Sequence, residues 1–361
     1  MKNIRALKYY TPLVVYVLAM VSFASHGIYC WLGLVYAWVM IPFAELLMRS
    51  DESNLNAAEE ELARKDKWYD AVLWIVVLAQ YAAIPIFLFS MKDAALSGFD
   101  IAGRVFTMGL LCGAFGINVG HELGHRIKPF EVVLAKASLL TSLYMHFIVE
   151  HNKGHHKNVA TREDPSSARL WEPVYFFWPR TIIYSYISAW HIANDETKKK
   201  SKPVFSLHNE MLQMLLIQIL FVAVIFISFG WPITLYYLAA AAIGMLLLET
   251  VNYIEHYGLQ RQQLDNGRYE RAMPVHSWNS NHIIGRLMLF ELSRHSDHHY
   301  LASRKYQILR HHDDAPQMPT GYPGMMILAL MPPLWFYVMH KQMRKYNLLP
   351  RKENVFELQT T

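Results

Sequence analysis

Six stretches of this sequence are apolar over the roughly 20 residues that a helix needs to cross hydrocarbon. They run approximately over 11–28, 29–48, 70–90, 101–119, 211–229 and 233–252. Such runs demand a lipid environment and predict an all-α integral membrane protein with six transmembrane helices. SHGIY separates the first pair, MKDAALSGFD the second and FGWP the third, so the spans read as three tight hairpins. The basic segment MKNIRALK precedes the first span, and the charged RSDESNLNAAEEELARKDK follows the second. The positive-inside rule then places the N-terminus in the cytoplasm. The three turns fall outside, and the ends of the second, fourth and sixth spans inside. SFA at 22–24 resembles a signal-cleavage site. Cleavage there would strip the second span of its partner, so the first span is read as retained.

Two further apolar stretches carry interruptions. Residues 132–149 contain Lys136 and His146, and residues 320–338 contain Pro332 and Pro333 before the basic KQMRKYN. Both read as interfacial or re-entrant. The chain is therefore expected to form a single domain, 1–361. Membrane helices lie in 1–120 and 211–252, and histidine-rich cytoplasmic segments in 121–210 and 253–361.

Composition narrows the chemistry. Cys30 and Cys112 are the only cysteines of the 361 residues, and both sit in apolar runs. They cannot build a disulfide framework or a four-thiolate iron–sulfur or rubredoxin centre. The formal charge of +5 comes without a dense basic stripe, which argues against a nucleic-acid partner.

Eighteen histidines stand out. HELGH supplies His121 and His125 just past the fourth span, HNKGHH supplies His151, His155 and His156, and HSDHH supplies His295, His298 and His299. His256 follows the sixth span in NYIEHYGL. The i, i+4 spacing of His121 and His125 puts both rings on one helix face. If 132–149 does not cross, all nine lie on one side of the membrane.

Neutral imidazole suits iron, zinc and copper. Nine such ligands are too many for one metal and enough for two. Ligating histidines usually donate their second N–H to a carboxylate or carbonyl. Glu122, Glu150, Asn152, Asn252, Glu255 and Asp297 are the neighbours read in that role. His146, His276 and His282 are also candidates for supporting the ligands, whereas His26, His191, His208, His311, His312 and His340 read as structural or surface residues.

HELGH also matches the HExxH zinc-protease pattern, with Glu122 as base and Asp265 as a further ligand. That reading leaves seven clustered histidines without a task. A bis-histidine haem or transport protein would need histidines facing each other inside the spans, and these clusters lie beyond the span ends.

The strings GHELGHR, FIVEHNKGHHKNVAT, NYIEHYGL, HSWNSNHI, RHSDHHY and PTGYPG together resemble the membrane-bound alkane 1-monooxygenases. These belong to the membrane fatty acid desaturase and hydroxylase superfamily. The resemblance runs from about residue 30 to 345. It implies six transmembrane helices and a cytoplasmic non-haem site of two irons. The ligands implied are His121, His125, His151, His155, His156, His256, His295, His298 and His299. It further implies O2-dependent hydroxylation of an n-alkane to a primary alcohol. Electrons would come from NAD(P)H through a reductase and rubredoxin, at a bacterial inner membrane. Aryl-methyl or fatty-acid hydroxylation and desaturation are related outcomes of the same metal site. The chain departs from the family pattern at Arg126, Ser293 and Tyr300, none of them a ligand.

On the second span, the small Ala37 beside the bulky Trp38 marks a candidate substrate channel. Lys153, Lys157, Arg162, Lys198, Lys199, Lys200, Arg294, Arg304 and Lys305 read as a basic cytoplasmic surface on which an acidic rubredoxin could dock.

Overall fold

The computed structural model describes residues 4–349; the first three residues of the basic N-terminal segment and the tail from Pro350 lie outside them. The described residues form helices and connecting turns, with two isolated bridges, Gln263–Tyr269 and Asn279–Gln317, and no strand. Five helices are long and apolar enough to cross a membrane: α1 (Arg5–Ala24), α2 (Gly27–Leu47), α4 (Lys67–Ser90), α5 (Gly98–Gly124) and α9 (Glu210–His256). A short polar helix, α3 (Ala57–Lys65), links the first pair to the second.

The helix starts are written into local chemistry. The Asp66 carboxylate accepts the Trp68 N–H at 3.0 Å at the head of α4. Ser97 and Asp100 form a reciprocal capping box at the head of α5. Asn209 accepts the Met211 N–H at 3.0 Å and starts α9.

Helix α9 is 47 residues long but is not one rod. Gly230 adopts φ 77°, a left-handed conformation that glycine tolerates, and Pro232 follows it. The rings of Phe221 and Tyr237 then meet with centroids 5.8 Å apart, so the two arms fold back on each other. The hairpin expected at FGWP is therefore present, reduced to a single reversed residue.

Helix α5 crosses the second arm of α9 at near backbone contact. A Cβ placed on Gly113 would lie 2.9 Å from the Gly244 carbonyl, and one on Gly244 would lie 2.6 Å from Cys112 Cβ. Small residues at such crossings replace the hydrophobic driving force that lipid removes.

The stretch 132–149 turns back on itself. Helix α6 (Pro129–Leu140) runs antiparallel along α5, with Ser138 Oγ donating to the Gly116 carbonyl at 2.7 Å and Ser142 Oγ to Cys112 at 2.9 Å. The chain turns over 141–146, with Leu143 at φ 53°, and comes back through α7 (147–158). Helix α8 (Val174–Lys199) packs against α7 and α9.

Residues 320–338 break into α12 (Tyr322–Ala329) and α13 (Pro332–Lys345), of 8 and 14 residues, each too short to span. Between α9 and α12 lie two short helices, α10 (Ile283–Met288) and α11 (His295–Tyr300). Buried Glu45, near the end of α2, accepts the Gly285 N–H at 2.7 Å and occupies the space a side chain at Gly321 would need. This ties the second apolar helix to α10 and to the turn before α12.

Candidate metal centre

The nine clustered histidines converge at one end of the apolar helices and divide into two groups. His121, His125, His151, His156 and His298 form the first, and His155, His256, His295 and His299 the second. Within each group the ligand-capable nitrogens lie within 4.8 Å of one another.

Local helix geometry makes the division. The middle of α7, His151–His155, is a π turn, in which the His156 N–H bonds to the His151 carbonyl. That i, i+5 bond puts His151 and His156 on one face, with Nε2 atoms 3.0 Å apart, and turns His155 toward the second group. Helix α11 splits its histidines by ordinary α spacing. His295 and His299, one turn apart, have Nε2 atoms at 2.8 Å, while His298 faces His121 at 3.0 Å. HNKGHH and HSDHH thus each contribute to both groups. HELGH serves only the first, and His256 only the second.

Six Nε2–Nε2 approaches of 2.8–3.2 Å bring the lone pairs of these rings together. Neutral imidazoles cannot satisfy all six, since each Nε2 either donates one N–H or accepts at one lone pair, and those of His156, His295, His298 and His299 face two partners each. Burial pushes His125, His151, His156, His295, His298 and His299 well below the ordinary histidine pKa, and their mutual proximity adds to the shift. Buried, neutral, convergent imidazoles fit a metal site, and this donor set suits iron.

Support for the ligands differs from expectation. Asp164, three residues after Thr161 and outside the histidine motifs, lies 2.9 Å from His155 Nδ1 and is itself held by Ser167 Oγ and the Ser166 N–H. Burial alone would lower the His155 pKa, but the Asp164 carboxylate reverses this and leaves it raised.

Glu255 points toward the second group, its Oε2 3.2 Å from His295 Nε2. The other neighbours turn elsewhere. Glu122 pairs with Arg126 at 2.6 Å and accepts the Tyr306 N–H at 3.2 Å. Asp297 holds both Arg304 and His312, at 2.6 and 2.7 Å. Asn252 donates to Glu249 at 3.1 Å, and Asn152 to the Gly124 carbonyl at 2.9 Å. Glu150 is buried near Ser188 Oγ, at 3.5 Å. Burial and the nearby Asp164 push it up to about 8.

His146 meets the rings of Tyr144 and Tyr186 edge-on, His276 pairs with Glu270, and His282 meets Ser280 Oγ at 3.1 Å; their rings engage groups other than the nine. Two histidines expected at the surface are built in: His340 is buried against the Tyr257 hydroxyl at 3.0 Å, and His312 braces Asp297.

The basic surface also shrinks. Arg294 is 3% exposed and donates to the Ser53 and Leu309 carbonyls, Arg304 binds Asp297, and Lys305 binds Asp70 at 2.9 Å. Lys157, Arg162, Lys198, Lys199 and Lys200 remain exposed. Asp265 lies exposed on the 260–270 loop and belongs to neither histidine group, and Glu122 is committed to Arg126. The zinc-protease arrangement is therefore not assembled.

Below the histidines lies apolar space. An inner cavity of about 70 Å3 is bounded by Ala37, Trp38, Phe115, Asn118 and Leu292 among others. A wider one of about 510 Å3 opens between Trp31, Phe106, Trp178 and Leu330. Trp38, Leu110, Leu247 and Met326 border both. Asn118 and Leu292 stand three residues before His121 and His295. Another π turn, Tyr36–Met40, carries Ala37 and Trp38 onto this wall.

Comparison with known proteins agrees with this architecture. The fatty acid desaturase family model matches residues 101–329. Alkane 1-monooxygenase 2 of Pseudomonas aeruginosa is 38% identical over 88% of this chain and 84% of its own. Alkane 1-monooxygenase 1 of the same organism is 42% identical over 75% and 73%, and alkane 1-monooxygenase 1 of Alcanivorax borkumensis 38% over 88% and 78%. Two histidine groups at the head of an apolar cavity, in a chain this similar to those enzymes, have one family explanation: the chain belongs to the alkane 1-monooxygenases of the fatty acid desaturase family.

Proposed function

We propose that this chain hydroxylates the terminal carbon of n-alkanes with O2 at a centre of two irons. The observation that carries the proposal is the convergence of nine imidazoles, seven of them buried, into two groups, with Asn118 and Leu292, three residues before His121 and His295, lining an apolar cavity. His121, His125, His151, His156 and His298 would hold one iron, and His155, His256, His295 and His299 the other. Bound iron supplies the redox chemistry that activates O2, which protein side chains alone cannot provide.

The chain's own part is to deliver and aim the substrate. An alkyl chain gains about 0.8 kcal/mol per CH2 on leaving water, so it arrives from the bilayer. The outer cavity between Trp31, Phe106 and Trp178 offers the entry, and the junction at Trp38, Leu110, Leu247 and Met326 leads inward. An unactivated methyl group offers no polar handle, so the narrow walls set which carbon reaches the metals. The Asn118 side chain donates to the Leu289 carbonyl at 2.9 Å and so keeps its polar amide occupied at the inner end.

In this reading the two arms of α9 are separate spans, which makes six. Residues 1–361 form one membrane domain, and the histidine centre faces the cytoplasm of a bacterial inner membrane. The basic N-terminal segment supports that orientation. Electrons come from NAD(P)H through a reductase and rubredoxin, for which exposed Lys157 and Lys198–Lys200 offer a basic approach.

The test is product analysis by mass spectrometry with 18O2 and a series of n-alkanes, using the iron-loaded enzyme with its electron donors. The expected product is a primary alcohol carrying one labelled oxygen. An unlabelled desaturated product overturns the hydroxylase reading.

A further inference from the structure

The two histidine groups are unequal, five nitrogens against four. We propose that Glu255 completes the smaller group as a carboxylate ligand to its metal, held in place by Tyr322. The proposal rests on the di-iron reading above.

Direction is the first observation. A carboxylate that merely orients a ligating imidazole accepts the N–H of the nitrogen that does not bind metal. Asp164 does this at Nδ1 of His155. Glu255 instead places Oε2 3.2 Å from His295 Nε2, the nitrogen that converges with His256 and His299 at 3.1 and 2.8 Å. His295 Nδ1, the position an orienting carboxylate would take, is buried with no hydrogen-bond partner.

Charge is the second. Glu255 is 1% exposed, and among the described residues neither lysine nor arginine pairs with it. Of the other buried carboxylates nearby, Glu122, Glu291 and Asp297 have Arg126, Arg286 and Arg304, each at 2.6 Å, and Glu249, which has no cation, is held by Tyr144, Thr181 and Asn252. A buried anion is costly unless a cation or metal answers it. Conversely, a divalent ion held by four neutral imidazoles keeps its whole charge in a buried site.

The carboxylate is also fixed. Tyr322, fully buried at the start of α12, donates its hydroxyl to Oε1 at 2.8 Å and leaves Oε2 facing the histidines. The Trp278 N–H bonds to the Glu255 carbonyl at 2.8 Å. This assigns a task to the tyrosine of PTGYPG, a string otherwise remote from the histidine motifs.

The experiment uses the full chain, purified and loaded with 57Fe. Iron per chain, the rate of iron loss to a chelator and Mössbauer spectra are compared for wild type, Glu255→Gln, Tyr322→Phe and His125→Ala. Glu255→Gln preserves shape and the Tyr322 hydrogen bond while removing the charge. It is expected to release one of two irons at least 10-fold faster and to change one of two Mössbauer signals, leaving the other as in wild type. Tyr322→Phe should change the same signal, and His125→Ala the opposite one. Two irons with wild-type release and both signals unchanged in Glu255→Gln overturn the proposal. Fewer than two irons in wild type would instead overturn the di-iron reading on which it stands.

Discussion

Asp164 lies 2.9 Å from Nδ1 of His155, and both side chains are almost wholly buried. The pair fixes the His155 tautomer so that Nε2 faces the second group, and it raises the basicity of that nitrogen. Asp164→Asn keeps the size but removes the charge. We expect it to weaken iron binding about 10–100-fold, in the range seen when such supporting carboxylates are lost. Chelator competition on the purified protein measures this, and wild-type affinity in the variant would deny Asp164 the role.

Much of this was legible in the sequence, and the failures share a cause. Helix length and the i, i+4 face are local properties, so the apolar helices and the His121–His125 pair follow from spacing. The partition of the nine did not. A π turn over His151–His155 shifts the helical phase by one residue and makes His156, not His155, the partner of His151. Asp164 reaches His155 through a loop closure that no spacing announces. Glu122 and Asp297 stand beside ligands in sequence yet point to Arg126 and Arg304, because adjacency along a helix turns the side chain about 100° away. Arg294 and Lys305 looked like surface charge for the same reason: their interior partners, the Ser53 carbonyl and Asp70, come from distant segments.

Arg126 shows what such an interior charge does. It joins Asp70 at 3.2 Å to Glu122 at 2.6 Å, with its own side chain 6% exposed, and Lys305 binds the same Asp70. Arg126→Ala leaves Glu122 buried without its arginine, a loss of about 3–5 kcal/mol for a broken buried pair. We expect a lower melting temperature in detergent, with Arg126→Lys recovering part of it. A melting temperature within a degree of wild type for Arg126→Ala would show that the network carries no stability.

The histidines predict a pH dependence for the metal-free protein. Burial depresses His125, His151, His156, His295, His298 and His299 well below their ordinary range. Unfolded, each takes a proton below about pH 6.5, while the folded site does not. The unfolded state therefore binds more protons as pH falls, and stability drops by up to about 1.4 kcal/mol per pH unit for each such histidine. Above about pH 7 this contribution is fully present and flat. Melting temperatures of apo-protein from pH 7.5 to 5.5 should fall steeply below 6.5. A flat profile would mean that these rings are not held neutral.

The cavity wall predicts substrate length. Ala37 and Trp38 sit on the π turn of α2, and Trp38 borders both the inner and the outer cavity. An indole at position 37 would fill space in the inner cavity, whose volume is only about 70 Å3. Ala37→Trp is therefore expected to cut turnover of the longest usable alkanes at least 10-fold while sparing shorter ones. Trp38→Ala widens the junction and should shift the profile the other way. Gas chromatography of products from a mixed alkane series reads both shifts. Iron content equal to wild type separates a blocked path from a damaged metal centre. An unchanged chain-length profile in Ala37→Trp, with iron retained, would remove this cavity from the substrate path and leave the alkane to approach the histidines by another face.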